Sequence, residues 1–531
     1  MFPNPFGISA DTLALIKSQL PGLAGKEWLE KRGDIGDGRA IVFDKTDNGN
    51  MREGPRRAMF VEKTVSGNVG VGSPLGLLPY PLEAPAKLLY PILTPIRNMT
   101  PRRVVGGPAL YWKSITAINT AGVWGSVPEA TSVLTGRNSP IAYNEVDNTM
   151  AWKSFGEESW YTPEAQYGAS STLVPGQNFD AVEFATLSCL QATMRAEELI
   201  DLGGNVAALG TPAAVTTSTA TTGGTLAAGT YRVRMSALTL QGHLFGSALG
   251  NGTPARGRSG GTDSTGETLA SVAASRTTTG ATSTITATGA ALRGAVSYNW
   301  YIDDGAAGAY TWAANTTVAN YTFLAPGTGN PPNAADTTAN AYDYNGLIAQ
   351  ASLSGNNPYW VDFAGASLTG DNQFGVDALN TLFLTQWNTY KTGIDMLVMS
   401  ASMRKKITTI VVGSTSPVFR IEAAQGSTQA TDIKAGTFVG SVLNPYMGED
   451  VPLMTDPDIP DGIILGLCRN LGRYYPNANI ASNMEKMLRF DYQREDFAHV
   501  ARKTEFGVYA SGALVIRAPF TFATICNIAT T

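Results

Sequence analysis

The sequence predicts an α+β chain interrupted by an all-β sandwich, and three observations carry that reading. Lysine is absent between Lys153 and Lys391, while Thr, Ala, Ser and Gly dominate residues 207–345, a composition shift that marks a separate module within the 531 residues. Residues 179–201 run without Gly or Pro, as a long helix requires. After about residue 346, strand-like and helix-like segments alternate, and the chain closes in long β-type runs. At 43% hydrophobic and 15% charged, the chain is too long for one core and too apolar for a disordered polymer, so two or three domains are expected. The apolar run around Leu75 to Leu78 is broken by Gly and Pro well short of membrane-spanning length. The start MFPNPFG lacks a basic stretch followed by an apolar one, so no secretory signal is expected and a cytosolic origin is.

Residues 1–85 contain one predicted short helix, 11–20, capped by Asp11, with Leu13, Ile16 and Leu20 at helical spacing and Pro21-Gly22 as its stop. The remainder reads as an extended arm punctuated by Gly36, Gly38, Gly49, Gly54, Gly67, Gly70, Gly72 and Gly76. Such an arm has no private core, so an outside surface must order it, and a neighbouring copy of the chain is the simplest one. ALYWKSITAI over 109–118 and MAWKSFGEESWY over 150–161 are aromatic and β-branched, and are expected to form the two arms of a long hairpin. The connection carries Gly122, Gly125, Pro128, Gly136 and Pro140. A ribbon of that kind needs something to lie on. The helix over 179–201, capped by Asn178 and stopped by Gly203-Gly204, would be about 34 Å long.

In the Thr-rich module, TYRVRMSALTL alternates with period two, placing Tyr231, Val233, Met235 and Ala237 on one face and Arg232 and Arg234 on the other. SYNWYI does the same with Tyr298, Trp300 and Ile302, and YTW over 310–312 and NYTFLAP over 320–326 add two more strands. Strands with turn signals and no good helix mean a β-sandwich, similar to immunoglobulin-like and fibronectin-type modules. Downstream, DALNTLFLTQWNTYK over 377–391 is a predicted helix closed by Gly393, and IDMLVMS is a strand. Another helix is expected to begin at 403–407, with ITTIVV returning to strand. EFGVYASGALVIRAPFTFATICNI, with Val515, Arg517, Phe520 and Phe522, reads as the strands of a closing sheet.

Reactive chemistry is sparse. The formal charge of −5 gives no general basic field, so contact with DNA must be local or indirect. Cys189, Cys468 and Cys526 form no CxxC pair and are expected as buried small hydrophobes. His243 and His499 are the two histidines; neither has a recognisable nucleophile or carboxylate constellation, and a satisfied histidine is the plainer reading of each. Asp456, Asp458 and Asp461 in TDPDIPDG offer oxygen ligands to a hard cation, but the spacing misses the EF-hand pattern and Pro457 and Pro460 explain a rigid loop. Asp303-Asp304-Gly305 reads as a hairpin turn. The run over 250–261 has glycines with Arg256 and Arg258 but no GK[ST] ending, so it is a loop tip rather than a phosphate cradle. Arg56-Arg57, Arg102-Arg103 and Arg404-Lys405-Lys406 lack interleaved aromatics for nucleic-acid stacking and read as inter-subunit ion pairs or solvated faces. No catalytic, cofactor or metal residue is assigned, and the chain is expected not to be an enzyme.

The order of these segments, arm, ribbon, long helix, mixed α/β region and terminal strands, resembles the major capsid proteins of tailed bacteriophages with the Hong Kong 97-type fold. YPILTPIRNMTPRRVVGGPALYWKSITAIN over 90–119, the helix block ending AEELIDLGGN over 196–205, and EFGVYASGALVIRAPFTFATICNI over 505–528 look like phage capsid sequences. The resemblance implies an N-terminal arm over 1–85, the start of a peripheral domain over 86–103 and an extended loop over 104–169. It implies a spine helix with peripheral-domain residues over 170–206 and an immunoglobulin-like insertion domain over 207–341. Peripheral domain would follow over 342–392, axial domain over 393–483 and peripheral C-terminal strands over 484–531.

By the same resemblance, identical copies would assemble as hexamers and pentamers into an icosahedral shell around double-stranded DNA contacted non-specifically. Portal, scaffolding and decoration proteins would be the other partners, with no membrane; the shell would be built in the host cytoplasm and reside in the virion. Tyr111, Trp112, Trp152 and Trp160 are the expected intersubunit anchors, because large rigid rings dominate interface energetics, with Arg102 and Arg103 beside them. Filling a local strand-pair surface is the equally weighted alternative for the rings. Because the arm begins at Met1, a leading scaffold segment removed by proteolysis is not expected. Lys113 and Lys153 lie in the ribbon, but isopeptide cross-linking needs an Asn partner and a carboxylate that sequence does not place, so no cross-link is expected. Two rivals remain: another assembly (tail tube, sheath or nanocompartment shell), and a carbohydrate-binding protein displaying Trp300, Tyr310 and Trp312 on an exposed sandwich face.

Overall fold

The computed structural model describes residues 44–45, 51–52, 93–119, 142–164, 181–246, 266–303, 309–328, 331–371, 375–413, 439–471, 480, 482–499 and 502–529. The expected helix over 11–20, Arg56 and Arg57, the hairpin connection over 120–141, Asn178, Asp304 and the loop over 250–261 lie outside the described residues. Of the arm, only an antiparallel pair is described, β1 (Asp44–Lys45) with β2 (Met51–Arg52). No helix among the described residues is long and apolar enough to cross a membrane.

The chain divides into two compact units. The smaller comprises residues 1–94, 159–189 and 496–506. In it, the Tyr161 and Phe506 rings lie 6.1 Å apart, and Lys503 Nζ sits 5.7 Å from the Trp160 ring centroid. The Phe497 N–H donates to the Glu505 carbonyl at 3.0 Å. The larger unit comprises residues 95–158, 190–495 and 507–531.

A short helix, α1 (Pro95–Met99), leads into β3 (Arg102–Val104) and then β4 (Leu110–Asn119). Among the described residues β4 pairs with β5 (Ala142–Met150) alone, antiparallel, with Leu110 opposite Met150 and a register shift between Ile115 and Ala117. The expected second arm, 150–161, is therefore corrected: the partner is 142–150. AYNEVDNTM has few apolar residues and so reads as a connection, yet it completes the backbone ladder opposite β4. The 150–161 segment instead supplies β6 (Lys153–Tyr161), the end strand of a four-stranded sheet ordered β3, β19 (Met484–Asp496), β20 (Thr504–Ile516), β6.

The long helix appears as α2 (Ala181–Gly203), ending where Gly203-Gly204 predicts. The Gly204 N–H returns to the Ile200 carbonyl at 2.9 Å, and a Cβ at Gly204 would lie 2.3 Å from the Tyr344 carbonyl oxygen, so only glycine fits there.

Two facing sheets then share one core. One is ordered β13 (Asn320–Phe323), β10 (Thr284–Thr288), β7 (Thr216–Ala220). The other runs β12 (Tyr310–Thr316), β11 (Ser297–Asp303), β8 (Gly229–Leu238), β9 (Ala274–Thr278). Tyr231, Val233, Met235, Ala237, Tyr298, Trp300 and Ile302 all enter the core, as their alternation predicts. Trp300 is 0% exposed, which overturns the exposed aromatic face of the carbohydrate reading. Asp303 ends β11, whose antiparallel neighbour is β12.

A six-stranded sheet completes the larger unit: β14 (Tyr359–Asp362), β21 (Ala523–Cys526), β18 (Ile464–Leu467), β15 (Met396–Met399), β17 (Glu449–Thr455), β16 (Ser441–Asn444). Short α3 (Leu347–Gln350) precedes it, and α4 (Asp377–Tyr390) and α5 (Ala401–Gly413) pack against it through Leu379, Leu382, Phe383, Met403 and Ile407. Two expectations are corrected here. α4 is closed by Lys391 in the left-handed region (φ 55°), not by Gly393. The ITTIVV segment continues α5 instead of forming a strand, because Met403, Ile407, Ile410 and Val411 recur at helical spacing against the core. Packing outweighs the β-preference of branched residues. Val515 and Phe522 are buried, in β20 and just before β21, so the closing runs serve two sheets rather than one.

Candidate functional site

The ribbon base is where the described chemistry concentrates. β3 runs parallel to β19 with Arg102 opposite Lys486, and period two along β19 puts Lys486 and Tyr492 on one face. On α2, Glu197 and Asp201 are four residues apart and share a face. Glu197 Oε1 accepts from Arg102 at 2.7 Å and lies 3.4 Å from Lys486 Nζ; Oε2 accepts from Arg97 Nε at 2.9 Å and from the Tyr492 hydroxyl. Asp201 Oδ1 accepts from Lys486 Nζ at 2.6 Å and from the Tyr344 hydroxyl at 2.5 Å. Arg102 reaches Asp491 at 2.6 Å. The Tyr492 ring lies between guanidiniums, 5.2 Å from Arg97 and 5.1 Å from Arg102, while Lys486 Nζ sits 5.0 Å from the Phe155 ring and 4.2 Å from that of Tyr344.

Burial penalises the Glu197 charge, but Arg102, Lys486 and Arg97 together hold its carboxyl well below the usual range. Burial pushes the Tyr492 and Tyr344 hydroxyls up, reinforced by Glu197 and Asp201 respectively. The neighbouring Glu198 accepts two backbone N–H bonds from α1, from Ile96 at 2.9 Å and Arg97 at 2.7 Å. Burial pushes Glu198 up to about 8 despite those bonds.

The residues expected at contacts are dispersed. Tyr111 projects from the ribbon at 69% exposure, Trp112 is half-buried on its other face, and Trp160 on β6 is 59% exposed. Trp152 lies between β5 and β6, and its Nε1 donates to the Gly107 carbonyl at 2.9 Å. Arg102 is engaged inside the chain, whereas Arg103 keeps a side chain 58% exposed with Glu485 at 3.8 Å. On the ribbon, Lys113 faces Asp147 at 3.3 Å and Glu145 at 3.6 Å; Lys153, expected in the ribbon, instead starts β6, and its Nζ donates to the Ala341 carbonyl at 2.5 Å.

The other candidates find local partners. His243 Nδ1 meets Ser297 Oγ at 3.0 Å, but Ser297 is fully buried; His499 Nδ1 meets the Lys503 carbonyl at 3.3 Å. Asp458 forks onto Arg195, Asp461 takes the Ser400 hydroxyl at 2.5 Å, and the Asp456 carboxyl receives the Asp458 N–H at 2.9 Å, so the three aspartates diverge instead of converging on a cation. Arg404 donates to the Val439 carbonyl at 3.0 Å and Lys406 to that of Ala529, while Lys405 is exposed. All three cysteines are buried, and none is in a disulfide among the described residues. The ionic cluster had no sequence signal: AEELID reads as an ordinary helix end until Arg97, Arg102 and Lys486 arrive from 95 to 289 residues away, as 102 to 197 and 197 to 486 measure.

No protein-family model matches the chain, and no curated protein matches it. Among solved structures it is similar to the cyanophage A-1(L) capsid, at 9% identity and TM-score 0.41, over 84% of this chain and 95% of that one. It is also similar to the capsid of a native GTA particle (11%, TM-score 0.39, 87% and 98%) and to the capsid of the Myoviridae phage XM1 (10%, TM-score 0.37, 82% and 92%). Superpositions this loose leave function to be argued from the chain's own residues.

Proposed function

We propose that this chain is the major capsid protein of a tailed bacteriophage, a self-assembling shell subunit rather than an enzyme. The observation that carries the reading is the β4–β5 ribbon, which among the described residues forms a sheet of two strands, with Tyr111 turned to solvent. An isolated hairpin is marginal in water, so it gains stability by lying on another surface, and a second copy supplies one at no genetic cost. The first ribbon strand, β4, lies in the block over 90–119 that resembles capsid sequences, followed in the same order by α2 and β20.

In this reading the architecture is of the Hong Kong 97 type, with the two-sheet module over 207–341 as an immunoglobulin-like insertion and the domain limits given by the resemblance. Hexamers and pentamers enclose double-stranded DNA in the virion after assembly in the host cytoplasm, with portal, scaffolding and decoration proteins as further partners. Tyr111, Trp112, Trp152 and Trp160 are proposed intersubunit contacts; of the two arginines, Arg103 is the one whose charge faces outward. Negative-stain microscopy of the purified full chain tests the proposal: closed shells are expected, while tubes or a clean monomer at high concentration would overturn it.

A further inference from the structure

Among the described residues Lys486 is the one buried lysine, and its nitrogen is enclosed by groups that can make an amide and then hold it. Nζ lies 2.6 Å from Asp201 Oδ1 and 3.4 Å from Glu197 Oε1, and it donates to the Tyr344 hydroxyl. That hydroxyl in turn donates to Asp201 Oδ1 at 2.5 Å. The Lys486 and Asp201 side chains are each 1% exposed and that of Glu197 is 0% exposed, with the Phe155 and Tyr344 rings flanking the nitrogen. An Nζ in hydrogen-bond contact with Oδ1 stands about 3–3.5 Å from the carboxyl carbon, the separation of a near-attack pair. Asp201 Oδ2 is buried with no hydrogen-bond partner, and it is the oxygen that a condensation would expel.

We propose that Lys486 and Asp201 condense into an isopeptide bond inside the chain, with Glu197 as the proton relay. The ion pair of the structure is the reactant. Nζ first passes one proton to the Asp201 carboxylate, leaving a neutral amine beside a neutral acid, an exchange that burial of Asp201 favours. It cancels one charge of each sign, so Arg97 and Arg102 still balance Glu197 and Asp491. The Nζ lone pair then attacks the Asp201 carboxyl carbon, while the Tyr344 hydroxyl stabilises the negative charge developing on Oδ1. Attack makes the nitrogen acidic, and Glu197, kept ionised by Arg102 and Arg97, takes its second proton and returns it to the Oδ2 hydroxyl, which leaves as water. One N–C bond forms, one C–O bond breaks, and nothing is oxidised or reduced. The product suits the site better than the ion pair does. Its carbonyl oxygen keeps the Tyr344 hydroxyl, its N–H has Glu197 Oε1 as acceptor, and the orphaned oxygen is gone. A fold that holds the two groups in contact supplies an effective concentration of about 10⁵ M or more, which offsets the pull of water toward hydrolysis. The bond is internal to one chain, separate from Lys113 and Lys153, and joins α2 to β19. A part in bearing load across a shell rests on the capsid reading; the bond itself does not.

Intact-mass spectrometry of the denatured full chain, followed by peptide mapping, tests this. The native chain should be lighter than the mass of its sequence by one water, about 18 Da, and should yield a branched peptide joining Asp201 to Lys486. Lys486→Arg keeps the charge and removes the nucleophile, so its chain should show the full mass of its sequence. Asp201→Asn should still link, with ammonia leaving instead of water, and lose about 17 Da. Glu197→Gln should slow formation of the bond by about a hundredfold or more, and an unchanged rate would overturn the relay. A native chain at full mass with no branched peptide would overturn the bond. So would a water loss that persists in Lys486→Arg, since that places a cyclic imide elsewhere in the chain. Should Lys486→Arg fail to fold, the presence or absence of the branched peptide in the native chain decides the matter. The readout does not depend on whether shells form, so failure of the capsid reading would leave this result standing.

Discussion

Glu197 shows why a buried charge is read by its partners. Three cations converge on it from α1, β3 and β19, so the helix, the strand leading to the ribbon and the central strand of the sheet are fixed to one another by a single carboxylate. Removing it takes from Arg97 the carboxylate it pairs with and leaves Arg102 and Lys486 with Asp491 and Asp201 alone, inside a buried site. Glu197→Ala is expected to destabilise the chain by about 3–5 kcal/mol in denaturant unfolding of the full-length protein. A loss no larger than that of an exposed substitution would show that water, not Glu197, neutralises these cations. The same carboxylate illustrates what was not legible: Glu197 and Glu198 are adjacent and chemically identical in sequence, yet one is surrounded by cations and the other by amide donors and acids. Only the 3.6-residue helical turn, aiming them at different neighbours, separates their fates.

At the scale of elements, two of the attachments that hold the module over 207–341 to the body show how it is braced. One is the neck, where the Gly346 N–H donates to the Gly204 carbonyl at 2.8 Å and the Asn340 N–H to that of Asn205 at 2.9 Å. The other is a knot around Asn527, left-handed at φ 59°, whose side chain accepts from the Ala319 N–H and donates to Asp362 Oδ1, both at 2.7 Å. Two attachments restrict swinging, so the module is braced against the six-stranded sheet rather than tethered to it. Gly204→Ala should lower stability by about 1–3 kcal/mol, since its Cβ would meet the Tyr344 carbonyl and push the two neck strands apart. A thermal midpoint equal to that of the native chain would mean that the neck yields freely. The core alternation of β8 and β11 was legible because each strand carries its own period; the knot was not, because Asn527 and Ala319 are 208 residues apart.

For the whole molecule, assembly and folding should separate at the exposed rings. Tyr111 and Trp160 contribute little to the interior of the isolated chain, so Tyr111→Ala with Trp160→Ala should shift unfolding by no more than about 0.5 kcal/mol each. Sedimentation of the same variant should show loss of large particles if these rings seat on neighbouring copies. Normal particles, or unfolding of the variant, would assign the rings to the chain's own surface.

The sequence by itself determined the extent of α2 and its glycine stop, the inward faces of β8 and β11 and the burial of the cysteines. These are properties of near neighbours, written in composition and in periods of two and 3.6 residues. The tertiary structure alone decided that 142–150 and not 150–161 completes the ribbon, that ITTIVV is helix, and that Arg102 turns inward to Glu197 and Asp491. Each of those outcomes depends on which distant surface arrives to bury a side chain or match a charge, and a local pattern carries no record of a partner 389 residues away.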